Sequence, residues 1–250
     1  DAVLFNSYYH LEALTKQLPA FLGSFPDHKE LENAALIKGK SMVLPLGMDL
    51  RRLDQYRPER PQCPADSPLV LWNHRWEYDK NPEEFFQVLF QLQEEGLDFE
   101  VAILGESYHR IPPIFAEARR RLGERIVQFG YAENFADYAR WLWRADLLPV
   151  HSVHDFFGAS VIQAIYCNCL PLLPRRLAYP EHLPAAYHDR FFYADVKDLT
   201  SRLRLLLQSP IPDTGELREQ VQRYDWQQLV GQYDDLFEMM YNGQSRSSHD

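Results

Sequence analysis

Cysteine is scarce in this sequence. Cys63, Cys167 and Cys169 are the only three in 250 residues. An odd number with no C-x-x-C pair makes no disulfide framework. It points to a reducing compartment, and so to a cytoplasmic protein. No apolar run reaches the roughly 18 residues of a membrane span. No charged leader followed by an apolar stretch opens the chain, so no membrane association is expected. Low-complexity tracts are absent and the 17 prolines are dispersed, which argues against extensive disorder. Positive charge is in deficit: 26 Lys and Arg face 36 Asp and Glu, a formal charge of −10. Bulk attraction to nucleic acid or acidic lipid is therefore excluded, while a local basic patch is not. The fingerprint G-x-G-x-x-G is also missing, so a dinucleotide-binding claim has no motif behind it.

What is present is a strand–helix alternation. At roughly 150 residues per domain, the 250 residues amount to about 1.7 domains. The clearest unit begins near Ser67. Leu69-Val70-Leu71-Trp72 reads as a buried strand. A polar loop follows, and Asn81, Pro82, Glu83 and Glu84 then open a helix that Gly96 closes. Further strands are predicted at Phe99–Leu104, Arg125–Phe129, Asp146–Val150, Leu170–Leu173 and Phe191–Tyr193. Helices are predicted at Pro112–Leu122, Phe135–Arg144, Gly158–Cys167 and Asp198–Gln208. This pattern predicts an α/β fold: a Rossmann-like parallel sheet of five or six strands with helices on both faces. Residues 1–60 differ, reading strand, helix, helix, strand with a proline-rich linker from Arg57 to Pro68. They are too little for an independent domain. With Asp1 leading directly into a strand, the chain is expected to be a piece of a longer protein. The expected organisation is 1–60 as the end of a first domain, 61–213 as the Rossmann-like domain, and 214–250 as terminal helices.

Ligands of open parallel sheets bind beyond the carboxyl ends of the strands, so the loops there hold the candidate chemistry. In the loop Asn73–Lys80, Arg75 and Lys80 are two cations able to reach one diphosphate, Arg as a fork and Lys as a point charge. The plainer alternative pairs them with Glu77 and Asp79 across a solvated loop. In His154-Asp155-Phe156-Phe157-Gly158-Ala159-Ser160, the N–H groups of Gly158, Ala159 and Ser160 at a helix start favour an anion. Asp155 and Gln163 can face the same cleft and hold sugar hydroxyls; the alternative is an N-cap aspartate and a helix-surface glutamine. His154 beside Asp155 could orient a sugar or be structural. Trp72, Trp76, Cys167 and Cys169 suit the core, while His151 and Tyr166 lie near the proposed cleft in sequence. Arg119-Arg120-Arg121 reads as a solvated helix face, with an RNA-facing role left open. No Cys/His spacing suggests a metal site.

These segments together resemble retaining GT-B glycosyltransferases. Arg75 with Lys80, Gly105 after a strand, the Phe129-Gly130-Tyr131 turn, and Asp155 with Gln163 eight residues on occur in that family's order. Val43-Leu44-Pro45-Leu46-Gly47-Met48-Asp49 resembles the segment that closes the first domain there. More specifically, Trp72-Asn73-His74-Arg75-Trp76-Glu77, Asp79-Lys80-Asn81-Pro82-Glu83, Phe156-Phe157-Gly158, Ala164-Ile165-Tyr166-Cys167 and Tyr179-Pro180-Glu181 resemble the tRNA-queuosine mannosyltransferases. The resemblance implies the C-terminal, donor-binding half of a GT-B fold plus part of the first half. It implies transfer of mannose from GDP-mannose, with retention, to queuosine in tRNA. Arg75, Lys80 and Asp155 would be catalytic: the cations stabilise the leaving diphosphate and Asp155 contacts the transferred sugar. His154, Gly158, Ala159, Ser160 and Gln163 would bind the donor, with Gln163 at the ribose and Gly130 and Tyr131 near the base. No metal or other cofactor is implied. Gln163 stands where the wider fold usually has Glu, and Asn168 where a Gly is common. The open alternatives are a non-catalytic nucleotide-sugar or RNA-binding module, or another GT-B enzyme such as a nucleotide-sugar epimerase. This chain by itself is expected to bind donor but transfer slowly or not at all.

Overall fold

The computed structural model describes residues 2–27, 29–59, 67–106 and 111–247. It contains two compact units, Asp1–Asp49 with Arg223–Asp250, and Leu50–Gln222. Cys63 and the middle of the expected linker lie outside the described residues.

In the first unit, β1 (Val3–Phe5) and β2 (Ser41–Val43) pair in parallel. The crossover between them carries α1 (Tyr8–Gly23) and α2 (Leu31–Gly39). The Ser7 hydroxyl accepts the His10 N–H at 3.0 Å and so starts α1.

The second unit contains β3 (Leu69–Trp72), α3 (Pro82–Glu94), β4 (Glu100–Ile103), α4 (Ile114–Leu122), β5 (Ile126–Phe129) and α5 (Phe135–Arg144). It continues with β6 (Leu147–Pro149), α6 (Ala159–Tyr166), β7 (Leu170–Pro174), α7 (His188–Phe191), β8 (Phe192–Tyr193), α8 (Val196–Leu207) and α9 (Gly215–Val221). The last helix, α10 (Trp226–Ser247), returns to the first unit.

Six strands form one parallel sheet in the order β5-β4-β3-β6-β7-β8. All four residues of β3 are buried, as a strand covered on both faces requires. Counted within this unit the order is 3-2-1-4-5-6, the doubly wound arrangement. The strand order reverses between β3 and β6.

Two boundaries differ from the sequence expectation. The first unit ends at Asp49, because Leu50 and Leu53 are fully buried in the second. The Leu53 carbonyl also accepts the Trp143 indole N–H at 2.8 Å. The terminal helices separate. Leu217 and Val221 of α9 are buried in the second unit. Met48 and Asp225 form a parallel bridge, with Met48 N–H to Tyr224 O and Trp226 N–H to Met48 O both at 2.8 Å. That bridge binds α10 to the closing segment of the first unit.

The aromatic core of the second unit reaches the site. Trp72 lies edge-on to Phe85 at 4.9 Å, and Trp76 stacks on Phe115 at 4.3 Å. Both indoles are buried, as the sequence suggests, and both N–H groups bond to loop backbone. Trp72 donates to His74 O at 2.9 Å and Trp76 to Leu104 O at 3.1 Å. Core packing thus sets the shape of the loop after β3.

Candidate functional site

The loop after β3 and the turn before α6 meet at the switch point through polar contacts. Asn73 donates its amide to Ser160 O at 2.8 Å. His74 Nδ1 is 3.3 Å from Ser160 Oγ. Gly105, after β4, has φ +118°, and a Cβ there would overlap the His74 carbonyl oxygen. Only glycine lets the two loops approach this closely.

A charge cluster around the buried Lys80 lies beside these contacts. Lys80 is 8% exposed and donates to His154 O at 2.8 Å, with Asp155 Oδ2 at 3.3 Å and Asp79 Oδ2 at 3.2 Å. Asp155 Oδ1 accepts the Phe157 N–H at 3.1 Å, and Oδ2 also accepts the Tyr179 hydroxyl at 3.1 Å. Burial by itself would raise the Asp155 pKa. The Lys80 charge and the hydrogen bonds outweigh that and hold it below its ordinary value. Asp155 is therefore ionised at neutral pH. His74 is pushed down to about 4, first by burial and then by the Lys80 charge, so it is neutral. Asp155 is not an N-cap: Gly158 takes that position, at φ 83°.

Gly158 packs against the Tyr179 ring, where a Cβ would lie 2.9 Å from Cε1. At the start of α6, Val161 and Ile162 donate to Gly158 O at 3.0 and 3.1 Å, which leaves the N–H groups of Ala159 and Ser160 ahead of the helix's own ladder. α6 begins four residues after Asp155. Gln163 lies further along α6, and its Oε1 accepts the Tyr138 hydroxyl at 2.8 Å. Tyr138 also lines a pocket of about 260 Å³ with Asn73, Leu104, Gly105, Tyr131 and Phe135. Gly130, at φ 116°, makes the turn that leaves Tyr131 70% exposed at this pocket.

The sequence candidates thus separate. Lys80, Asp155 and Gly158 sit on the segments that meet at the switch point, where Ala159 and Ser160 open α6. Tyr131 lines the adjoining pocket, and Gln163 reaches its wall through Tyr138. Arg75 stands apart: its half-exposed guanidinium pairs with Glu77 at 3.0 Å, the partner offered by the plainer reading. His154 contributes its carbonyl to Lys80, while its exposed ring rests edge-on against Phe156 at 4.6 Å. Tyr166 is not at the cleft. It lies at the far end of α6, where its hydroxyl donates to Asp54 at 2.8 Å. His151 is buried, with Nδ1 3.0 Å from Glu84. Sequence reasoning assigned no role to Tyr138 or Tyr179. A buried tyrosine announces itself only through its partner, and both partners lie more than twenty residues away. Among the described residues, no group of three or more His, Cys, Asp or Glu is placed to hold a metal ion.

The family profile for the N-terminal part of tRNA-queuosine alpha-mannosyltransferases matches residues 1–48. The tRNA-queuosine alpha-mannosyltransferase of Drosophila melanogaster is 34% identical over 193 residues, which are 74% of this chain and 50% of that protein. This chain is a relative of the tRNA-queuosine alpha-mannosyltransferases. It spans about half the length of the curated relative it matches. Among solved structures, sucrose-phosphate synthase from Thermosynechococcus elongatus aligns with a TM-score of 0.71 at 19% identity, over 97% of this chain and 59% of that one. Anabaena HepE, solved with UDP, aligns with a TM-score of 0.66 at 15% identity, over 96% and 64%. The fold is that of the GT-B glycosyltransferases. In this relative of the mannosyltransferases, the Lys80–Asp155 cluster occupies the switch point where such a sheet takes its ligand.

Proposed function

We propose that this chain binds a nucleotide-sugar at the switch point, and that the whole protein transfers mannose from GDP-mannose, with retention, to queuosine in tRNA. The observation that carries the reading is the largely enclosed Lys80–Asp155 pair just ahead of the first turn of α6. A departing diphosphate gains negative charge, and a fixed ammonium beside a helix N-terminus stabilises that charge as it grows. Of Lys80's two carboxylate partners, Asp79 is the more exposed, and it is the one a diphosphate would replace. Arg75, half exposed on its loop, turns from Glu77 to the same anion. Asp155 stays ionised and meets the transferred sugar. Gln163, oriented by Tyr138, offers its amide to the ribose, and the pocket at Tyr131 takes the base. The activity named for the Drosophila relative supplies the sugar and the acceptor in this reading. The UDP in HepE supports a nucleotide-linked donor. A cytoplasmic setting follows from a tRNA acceptor. The cations do the work of charge neutralisation, so no metal enters the scheme.

Calorimetry with GDP, UDP, ADP and their sugars tests donor binding. GDP is expected to bind, equally with and without EDTA, and Arg75→Ala is expected to weaken it at least about tenfold, the scale of one charge-assisted hydrogen bond. No binding of any nucleotide, with Arg75→Ala matching the wild type, would overturn the reading. One observation favours a second reading, donor binding without turnover: Gln163 is neutral, and its oxygen is already taken by Tyr138. Release of GDP from GDP-mannose in the presence of acceptor tRNA separates the two.

A further inference from the structure

The segment Arg51–Pro58 runs along α5, and together they carry arginines laid over aromatic rings. Arg52 lies 4.1 Å over Phe135, Arg140 5.8 Å over Tyr56, Arg57 5.2 Å over Trp143 and Arg144 5.0 Å over Trp141. An open pocket of about 450 Å³ lies among Tyr56, Pro58, Trp141 and Trp143. Tyr56, Trp141 and Trp143 are only half-buried, while Arg52, Arg57 and Arg140 are exposed. Three nearby carboxylates are paired: Asp54 with Arg218 at 2.6 Å, Asp137 with Arg140 at 2.7 Å, and Glu100 with Arg144. Arg52 and Arg57 face rings instead. Two exposed guanidinium groups, Arg52 and Arg57, thus stand on this face in a chain whose acids outnumber its bases by ten.

We propose that this face is the contact surface for the RNA acceptor. This rests on the reading above that the acceptor is RNA. Guanidinium groups fork onto phosphates, and half-exposed tryptophan and tyrosine rings give unstacked bases a platform. An acidic protein partner would use the arginines but not the platform. The position is suited to the task. Phe135 lies under Arg52 and is also a wall of the pocket at the switch point. The ladder therefore begins beside the donor site and follows α5 for about 13 Å at 1.5 Å per residue.

The test is fluorescence anisotropy of residues 1–250 with a labelled, unmodified tRNA transcript over a salt series. The double variant Arg57→Glu/Arg140→Glu is expected to bind at least about tenfold more weakly, with a salt slope reduced by about two, one per lost phosphate contact. It should remain folded by circular dichroism, and its GDP binding should be that of the wild type. Arg57→Lys/Arg140→Lys, which keeps the charge, should recover most of the slope. Unchanged affinity and slope in the Glu variant would overturn the proposal. So would displacement of the tRNA by an equal charge of polyglutamate, which would indicate an acidic protein partner. So would a wild-type chain that binds GDP but no tRNA. tRNA binding that depends on Arg57 and Arg140 without any nucleotide binding would uphold this surface and overturn the donor reading alone.

Discussion

At the residue scale, the centre of the site is a buried lysine paired with a half-buried aspartate, a pair whose mutual compensation is incomplete without its neighbours. Lys80 and Asp155 each satisfy the other, helped by the His154 carbonyl, the Phe157 N–H and the Tyr179 hydroxyl. Removing Lys80 leaves Asp155 without its counter-charge, whereas Asp79 still faces Lys80 when Asp155 is lost. Lys80→Met is expected to cost about 2–3 kcal/mol, Asp155→Leu less, and the double variant less than the sum. Urea denaturation of the four proteins of the cycle measures this, and strict additivity would show the pair to be uncoupled. His74 makes a pH prediction. In the unfolded chain it takes a proton near 6.5, and in the folded chain at about 4, because burial and then Lys80 oppose its charge. Between those values the unfolded state binds more protons, so stability falls as pH is lowered. His151, also depressed by burial, acts in the same direction. The thermal midpoint should thus be lower at about pH 4.5 than at about pH 7, and His74→Gln should flatten the dependence. An unaltered slope in that variant would assign the effect elsewhere. The residue types were legible in the sequence as a basic loop and an acidic turn. That Lys80 would reach Asp155 rather than only Asp79 was not, because 75 residues separate them.

At the element scale, the site depends on how closely two loops and one helix start can approach. Gly96 and Gly105 both have positive φ, but a Cβ at Gly96 meets open space while one at Gly105 meets the His74 carbonyl. Gly96→Ala should therefore cost about 1 kcal/mol, from backbone strain alone, and Gly105→Ala distinctly more, about 2–3 kcal/mol. Chemical denaturation of both gives the comparison. Equal losses would mean the loops can separate without penalty. The elements themselves were readable. Strand runs, the Asn81-Pro82 helix start and the closing Gly96 all lie where the pattern predicts, since local periodicity reports the burial of each face. The start of α6 also lies where expected, at Gly158; the alternative of Asp155 as its cap is not met, because Gly158 takes the position and Asp155 faces Lys80 instead.

At the scale of the whole molecule, the last helix belongs with the beginning of the chain. Gly47 lies against the Trp226 ring, where a Cβ would come within 2.6 Å, and Tyr233 donates to Pro45 O at 2.8 Å. Gly47→Ala should loosen α10 and raise its amide exchange while leaving exchange in β3 and β6 unchanged. Hydrogen exchange by mass spectrometry reads both. Faster exchange throughout the second unit would contradict the division of the chain at Asp49 and Gln222.

By itself, the sequence determined the α/β class, the parallel character of the sheet, the loops that hold the chemistry and the kinship with the mannosyltransferases. These follow from local periodicity and local wording. Only the tertiary structure decided that β3 and β6 stand side by side, and therefore that Lys80 finds Asp155. It also decided that Tyr138 engages Gln163, that Tyr166 points away to Asp54, and that α9 and α10 part company. The physical reason is the same in each case. Burial is written in the spacing of neighbouring residues, whereas the partner of a buried polar group is set by strand order, which arises from contacts between distant parts of the chain.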